Sequence, residues 1–183
     1  MYNKPIIVFE GIETSGKTLH ISNVANYLKK NNYKYIRIRE PGGNSNSEKI
    51  RKLILNNKSN FNRNTDLLLY LASRSENVEK IIQKNYQKKI ILIDRFIDST
   101  LAYQHYGMGV NKKFIEMNND FIIGNIKVDF TFLNLVNKKN LLKRLKQRTK
   151  LNRYDNFNAN FYIKVQKGFI TISKKNKTKY LSI

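Results

Sequence analysis

The sequence predicts an α/β protein: a three-layer structure in which a mostly parallel five-stranded sheet is flanked by helices. Three observations carry that expectation. Short apolar runs recur along the chain, bounded by glycine, proline or a carboxylate. Segments with helical spacing lie between them. The length of 183 residues suits one compact domain with a sizeable core.

Taken in order, Pro5–Phe9 is an apolar run that opens directly into Gly11, the pattern of a buried parallel strand. Leu19–Lys30 sets Leu19, Val24, Tyr27 and Leu28 at helical spacing. Tyr35–Arg39 alternates as a second strand and stops at Pro41-Gly42-Gly43, a turn signal. Asn56–Asn64 is polar and loop-like, short enough to lie inside one domain, and Leu67–Gln83 reads as a long helix. Lys89–Asp94 is a third strand, Val128–Leu133 a fourth and Lys179–Ile183 a fifth. Helical segments fall near Lys112–Ile123, Asn137–Arg148 and Asn158–Lys174. Ligands on such sheets bind beyond the carboxyl ends of the strands, where every motif below falls.

Composition narrows the chemistry. With no cysteine, disulfides, zinc ribbons and thiol nucleophiles are excluded. Two histidines, His20 and His105, cannot furnish a multi-histidine metal site. No apolar run approaches the roughly 20 residues of a membrane span, and Pro5, Glu10 and Gly11 interrupt the start before a signal sequence could form. The expectation is a soluble, cytoplasmic protein without a membrane partner. The formal charge is +22, from 35 Lys+Arg against 13 Asp+Glu. Lys and Asn number 26 each and Ile 22, whereas Arg numbers only 9. That bias matches AT-rich codons, and the excess is spread through both halves, +9 over 1–100 and +13 over 101–183. Compositional drift therefore accounts for the charge better than a dedicated nucleic-acid surface. The field would still attract anionic ligands.

Gly11-Ile-Glu-Thr-Ser-Gly16-Lys17-Thr18 is a full G-x4-G-K-T match between a strand and a helix, the context of a P-loop. It specifies a P-loop NTPase fold. Its glycines let backbone N–H groups approach phosphate oxygens, and the helix N-terminus adds its dipole. Gly11, Ser15, Gly16, Lys17, Thr18 and Leu19 are the candidate ATP-binding residues, Lys17 reaching the β- and γ-phosphates. Ile90–Ile93 ends in Asp94, a second carboxylate-tipped strand, so Thr18 and Asp94 are the candidate Mg²⁺ ligands. Arg95 adds a cation where an anionic acceptor could lie.

Further along, Arg39-Glu-Pro-Gly-Gly43, Leu68-Leu-Tyr-Leu-Ala-Ser-Arg74, Asp94-Arg-Phe-Ile-Asp-Ser-Thr100 running on to Ala102-Tyr103-Gln104, and Asn152-Arg-Tyr-Asp155 occur in order. With the P-loop they cover nearly the whole chain, and here the sequence resembles the thymidylate kinase family. That resemblance implies transfer of the γ-phosphoryl of ATP to dTMP, giving dTDP for dTTP synthesis. It implies Glu13 at the sugar 3′-hydroxyl, Arg39 and Arg95 on the acceptor phosphate and Tyr70 stacked on the base. Arg74 would sit at the thymine edge and Tyr103 against the 2′ position. Ser99, Thr100 and Gln104 complete the candidate substrate-binding residues. It also implies a homodimer formed through helices beside the acceptor site, and a short lid at about 146–156 of a single domain, 1–183. The P-loop interior, Ile12 to Ser15, has no basic residue, so the catalytic arginine should come from the lid, as Arg148 or Arg153, acting with Lys17 and Arg95.

The chain departs from the family at Leu19, where a second hydroxyl residue is frequent, and at Phe169, where tyrosine is common. The family usually continues past the strand ending at Ile183 through a loop and a last helix, which are expected to be absent here. Two rival readings follow from the same residues. In a deoxynucleoside kinase Glu40 would act as base on a sugar hydroxyl, but Arg39 and Arg95 favour an acceptor that already carries phosphate, and the tryptophan of that pattern is missing. A basic P-loop protein binding nucleic acid without kinase activity is weakly suggested by Lys174–Tyr180, which a solvated helix end explains equally well.

Overall fold

The structure, a computed structural model, describes residues 4–147, 149, 152–175 and 177–183. Its centre is a five-stranded, wholly parallel sheet of order β2-β3-β1-β4-β5. The strands are β1 (Ile6–Gly11), β2 (Tyr35–Arg39), β3 (Ile90–Asp94), β4 (Phe130–Asn134) and β5 (Tyr180–Ser182). The register sets Phe9 beside Asp94, Arg39 beside Asp94 and Gly11 beside Asn134, so the carboxyl ends of β1, β2, β3 and β4 open onto one edge.

β1 and β3 read as continuous apolar runs because both of their faces are covered. From β3, Ile90 and Leu92 pack with Phe9, Ile21, Ala25 and Leu28 on the side of α1 (Lys17–Lys30). Ile91 and Ile93 point the other way, onto Val8, Ile38, Val78 and Ile82. A third cluster, with Tyr103, Tyr162, Val165 and Phe169, lies where α8 (Ala159–Lys174) crosses the segment after β3.

Asparagine does much of the helix starting. Asn44, Asn62, Asn111, Asn137 and Asn158 accept backbone N–H groups at the starts of α2 (Ser45–Leu55), α3 (Arg63–Asn77), α6 (Lys112–Ile123), α7 (Lys138–Lys146) and α8. Two elements were not expected. The polar opening Ser45–Lys49 hid α2, whose buried side is Ser47 and Ile54. After β3 a single turn, α5 (Ile97–Thr100), runs into a π-helical stretch, Leu101–Gly107, whose wider turn breaks the usual 3.6-residue spacing. A second π-helical stretch, Val78–Ile82, carries α3 onward to α4 (Gln83–Asn85). Among the described residues no helix is long and apolar enough to cross a membrane.

Candidate active site

A cavity of about 410 Å³ opens at the sheet edge and takes its walls from the segments that follow β1, β2 and β3. At one end lies the loop after β1. Gly11 has φ +136°, and a Cβ there would fall 2.3 Å from the Asn134 carbonyl oxygen, so only glycine fits. Gly16, also at positive φ, begins α1 without a side-chain cap. The first N–H groups of α1 are thus left to a ligand, unlike those of the asparagine-capped helices. Lys17 is buried and its Nζ donates to the carbonyls of Gly11 at 2.9 Å and Ile12 at 2.7 Å. Burial, then the charge of Arg95, pushes its pKa down to about 7. Thr18 and Asp94 line the same cavity. A hydroxyl and a carboxylate are hard oxygen donors that fit Mg²⁺, an ion that keeps water and substrate phosphates as its other ligands. Among the described residues no group of three or more His, Cys, Asp or Glu is placed to hold a metal ion by itself.

The other end is a wall of converging side chains. Glu10, fully buried at the end of β1, accepts Phe96 N at 2.8 Å, Ser99 N at 3.2 Å and Ser99 Oγ at 2.5 Å, which clamps the segment after β3. That clamp holds Arg95 at φ +68°. Its Nη1 donates to Gly11 O at 2.8 Å and its Nη2 pairs with Glu13 at 3.2 Å, while the guanidinium lies 5.2 Å from the Tyr103 ring. The Tyr103 hydroxyl donates to Glu13. Tyr70 borders the cavity, its hydroxyl pKa pushed up to about 12 by burial.

Arg74, expected at the thymine edge, is only 1% exposed. Its Nε pairs with Glu40 at 2.8 Å, its Nη1 donates to Asn119 Oδ1 at 2.6 Å and its Nη2 to Phe96 O at 3.0 Å. Burial raises the Glu40 pKa and the arginine opposes that rise. Glu40 Oε1 and the Thr100 hydroxyl are buried on the cavity wall without a hydrogen-bond partner. Gln104 also lines the cavity and donates to Asp66 at 3.0 Å.

The cavity therefore brings together Lys17, Thr18, Asp94, Glu13, Tyr70, Arg74, Arg95, Ser99, Thr100, Tyr103 and Gln104. Gly11, Ser15 and Gly16 shape the loop at its edge. Other expected residues lie elsewhere. Arg39 alternates with buried Ile38, so it points outward and pairs with Glu48 at 3.2 Å. Leu19 is 63% exposed on the outer side of α1. Arg153 donates through Nε to Ile54 O at 2.9 Å and pairs through Nη2 with buried Asp66, which turns it into a tie between the lid region and α3. Arg148 lies outside the described residues.

Several residues at the site were not foreseen. Arg51 on α2 lines the cavity, where Arg39 does not, and its Nη1 donates to the Pro41 carbonyl at 2.6 Å. The Glu48-x-x-Arg51 spacing after a turn was the available signal, hidden with the helix itself. Asn152 and Tyr154 border the cavity, and Tyr154 donates to Asp66 at 2.6 Å. Arg144 on α7 donates to the Thr14 carbonyl of the phosphate loop at 2.8 Å.

A phosphate-binding loop and a cation-lined acceptor wall on one parallel sheet define a P-loop nucleotide kinase. Comparison with known proteins narrows the class. The family model for thymidylate kinase matches residues 9–183. The chain is 35% identical over 178 residues to a thymidylate kinase of Kosmotoga olearia, covering 97% of this chain and 86% of that protein. It is 38% identical to one from Finegoldia magna, over 93% and 85%. The crystal structure of thymidylate kinase from Ehrlichia chaffeensis superposes with a TM-score of 0.81 at 35% identity, covering 99% of this chain and 88% of that one. The chain belongs to the thymidylate kinase family, whose members are ATP-dependent nucleoside monophosphate kinases.

Proposed function

We propose that this chain transfers the γ-phosphoryl group of ATP to dTMP, with the residues of this one cavity in the roles that follow. The observation that carries the reading is the convergence of Lys17, Thr18 and Asp94 at one end with Arg51, Arg95, Arg74 and Thr100 at the other. The uncapped start of α1 and Lys17 hold the donor phosphates. Thr18 and Asp94 would hold Mg²⁺, which when bound neutralises charge on those phosphates. Arg95 and Arg51 receive the acceptor phosphate, and Ser99 stiffens the Arg95 segment through Glu10. Tyr70 stacks on the base, with Gln104 and Tyr154 behind it. Arg74 donates to the base edge, and the unpartnered Thr100 hydroxyl is free to accept its ring N–H. Glu13, held between Arg95 and Tyr103, addresses the sugar 3′-hydroxyl, while Tyr103 crowds the 2′ position.

The acceptor is an ionised phosphate oxygen, so no general base is required; catalysis is positioning plus charge neutralisation. Glu40, already engaged by Arg74, is not needed as a base. The reading keeps the transition-state arginine role in a lid at about 146–156 of a single domain spanning 1–183, with Arg148 and Arg153 as its candidates; Arg153 would have to give up its ties to Ile54 and Asp66 to take it. A cytoplasmic homodimer belongs to the same reading. Leu68 of α3 and Phe114 and Met117 of α6 line one apolar hollow, and Phe121, one turn beyond Met117, is 87% exposed. Sedimentation should find a dimer that Phe121→Glu converts to monomer.

The function is tested by coupled ADP release with Mg-ATP against dTMP, dUMP, dCMP, GMP and thymidine. Turnover confined to dTMP with weaker dUMP is expected. Activity on thymidine would install Glu40 as base in place of this mechanism, and silence on all five would overturn it.

A further inference from the structure

A guanidinium has five N–H donors in a rigid fork. In Arg74 three of them are consumed inside the protein, by Glu40, Asn119 and Phe96. One N–H on each Nη remains, and Arg74 borders the cavity. Glu40 and Phe96 belong to the segments that follow β2 and β3, so both hold the guanidinium from the sheet side. Asn119 holds it from elsewhere. It sits on α6, one turn after Ile115, and these two are the buried residues of that helix. Asn119 is 3% exposed and does not line the cavity. Its bond to Nη1, at 2.6 Å, is the shortest of the three. With it, all three nitrogens of the guanidinium are held; without it, Nη1 is not.

We propose that Asn119, which touches no substrate, is a positioning residue that sets pyrimidine selectivity by fixing which N–H groups of Arg74 face the cavity. The inference rests on the functional reading above. Held as the structure shows, the two uncommitted N–H groups form a donor pair that complements a 4-oxo pyrimidine such as thymine or uracil. A 4-amino pyrimidine such as cytosine sets N–H against N–H and leaves buried donors unpaired, the arrangement that gives a polar site its discrimination. Losing the Asn119 acceptor frees a third donor and lets the guanidinium tilt. Affinity for the matched base then falls, and so does rejection of the mismatched one.

Asn119→Leu removes the acceptor at similar volume, and Asn119→Asp restores an oxygen at the same position. Steady-state kinetics at saturating Mg-ATP with dTMP, dUMP and dCMP, alongside thermal melts, separate the possibilities. In Asn119→Leu the KM for dTMP should rise about tenfold or more, with kcat and the KM for ATP within about twofold. The dTMP-over-dCMP ratio of kcat/KM should fall by a similar factor, and Asn119→Asp should recover most of both losses. A purely structural role would lower the melting temperature and kcat toward every acceptor while leaving the ratio unchanged, and that result would overturn the proposal. So would a leucine variant with wild-type KM, or an aspartate variant as impaired in the ratio as the leucine one. Should Asn119→Leu not fold, Asn119→Ser, too short to reach Nη1, is read by the same criteria. A wild-type enzyme that does not turn over dTMP would instead overturn the functional reading, and this assignment with it.

Discussion

The two ends of the cavity are built in opposite ways. The phosphate end is made of backbone: positive-φ glycines, an uncapped helix start and one lysine resting on the carbonyls of its own loop. The base end is made of side chains from distant segments, with Arg74 buried among Glu40, Asn119 and Phe96. A site made of backbone can lose its chemical group and keep its shape. One made of buried, mutually satisfied charges is also part of the core, so function and stability fail together there.

The largest effect should come from Arg74→Ala. Removing one partner of a buried ion pair leaves Glu40 uncompensated, which costs about 3–5 kcal/mol, and Asn119 and Phe96 lose their donor as well. Chemical denaturation should show that loss together with a raised KM for dTMP. A variant as stable as the parent would break the contrast. Lys17→Ala should do the reverse. Turnover should fall by roughly 10²–10³-fold, while the denaturation midpoint holds or rises, because a buried ammonium is itself costly. A folded variant with near-normal kcat would remove Lys17 from the mechanism.

The same contrast explains what could be read from the sequence. The phosphate loop was legible because its chemistry is local: eight consecutive residues between a strand and a helix specify it, and the structure puts Gly11, Gly16 and Lys17 there as expected. β1 and β3 were legible because burial on both faces makes them nearly uninterrupted apolar runs, whereas β2 was legible by its alternation. The base end was readable only through resemblance, since nothing near Arg74 in sequence foretells Asn119, 45 residues away, and a lone arginine on a helix reads as solvated. Arg51 was missed because α2 opens with a polar stretch that masks its period, and Arg39 was chosen through the resemblance alone. Strand alternation, not proximity to the motif, decided where Arg39 points.

The Arg51 and Arg39 pair sharpens that point at a smaller scale. Arg51→Ala should raise the KM for dTMP about tenfold, the worth of one charge-assisted bond to phosphate. Arg39→Ala should leave KM and kcat within about twofold and cost less than about 1 kcal/mol, as expected for an exposed pair with Glu48. Steady-state kinetics on the two variants decide it. If Arg39 proves the more damaging, the acceptor phosphate lies nearer β2 than this cavity places it.

The smallest effect lies behind the acceptor wall, where β5 reaches it. Tyr180 donates to Asp98 at 2.5 Å, and burial, then the nearby Glu10, pushes the Asp98 pKa up from 3.8 to about 7. Between those values the folded chain keeps a proton that the unfolded chain has released. The Asp98 contribution to stability is therefore complete below about pH 4 and disappears as the pH rises to about 7. Asn at this position cannot titrate but still offers Tyr180 an oxygen. The melting temperature of Asp98→Asn relative to the parent should accordingly improve as the pH is raised from about 4 to about 8. A difference independent of pH would mean that Asp98 stays ionised beside Glu10 across that range. The Tyr180 hydroxyl and the charge of Arg74 would then together outweigh burial and Glu10, and α5 would hold a full negative charge on Asp98 that the last strand meets through the Tyr180 hydroxyl.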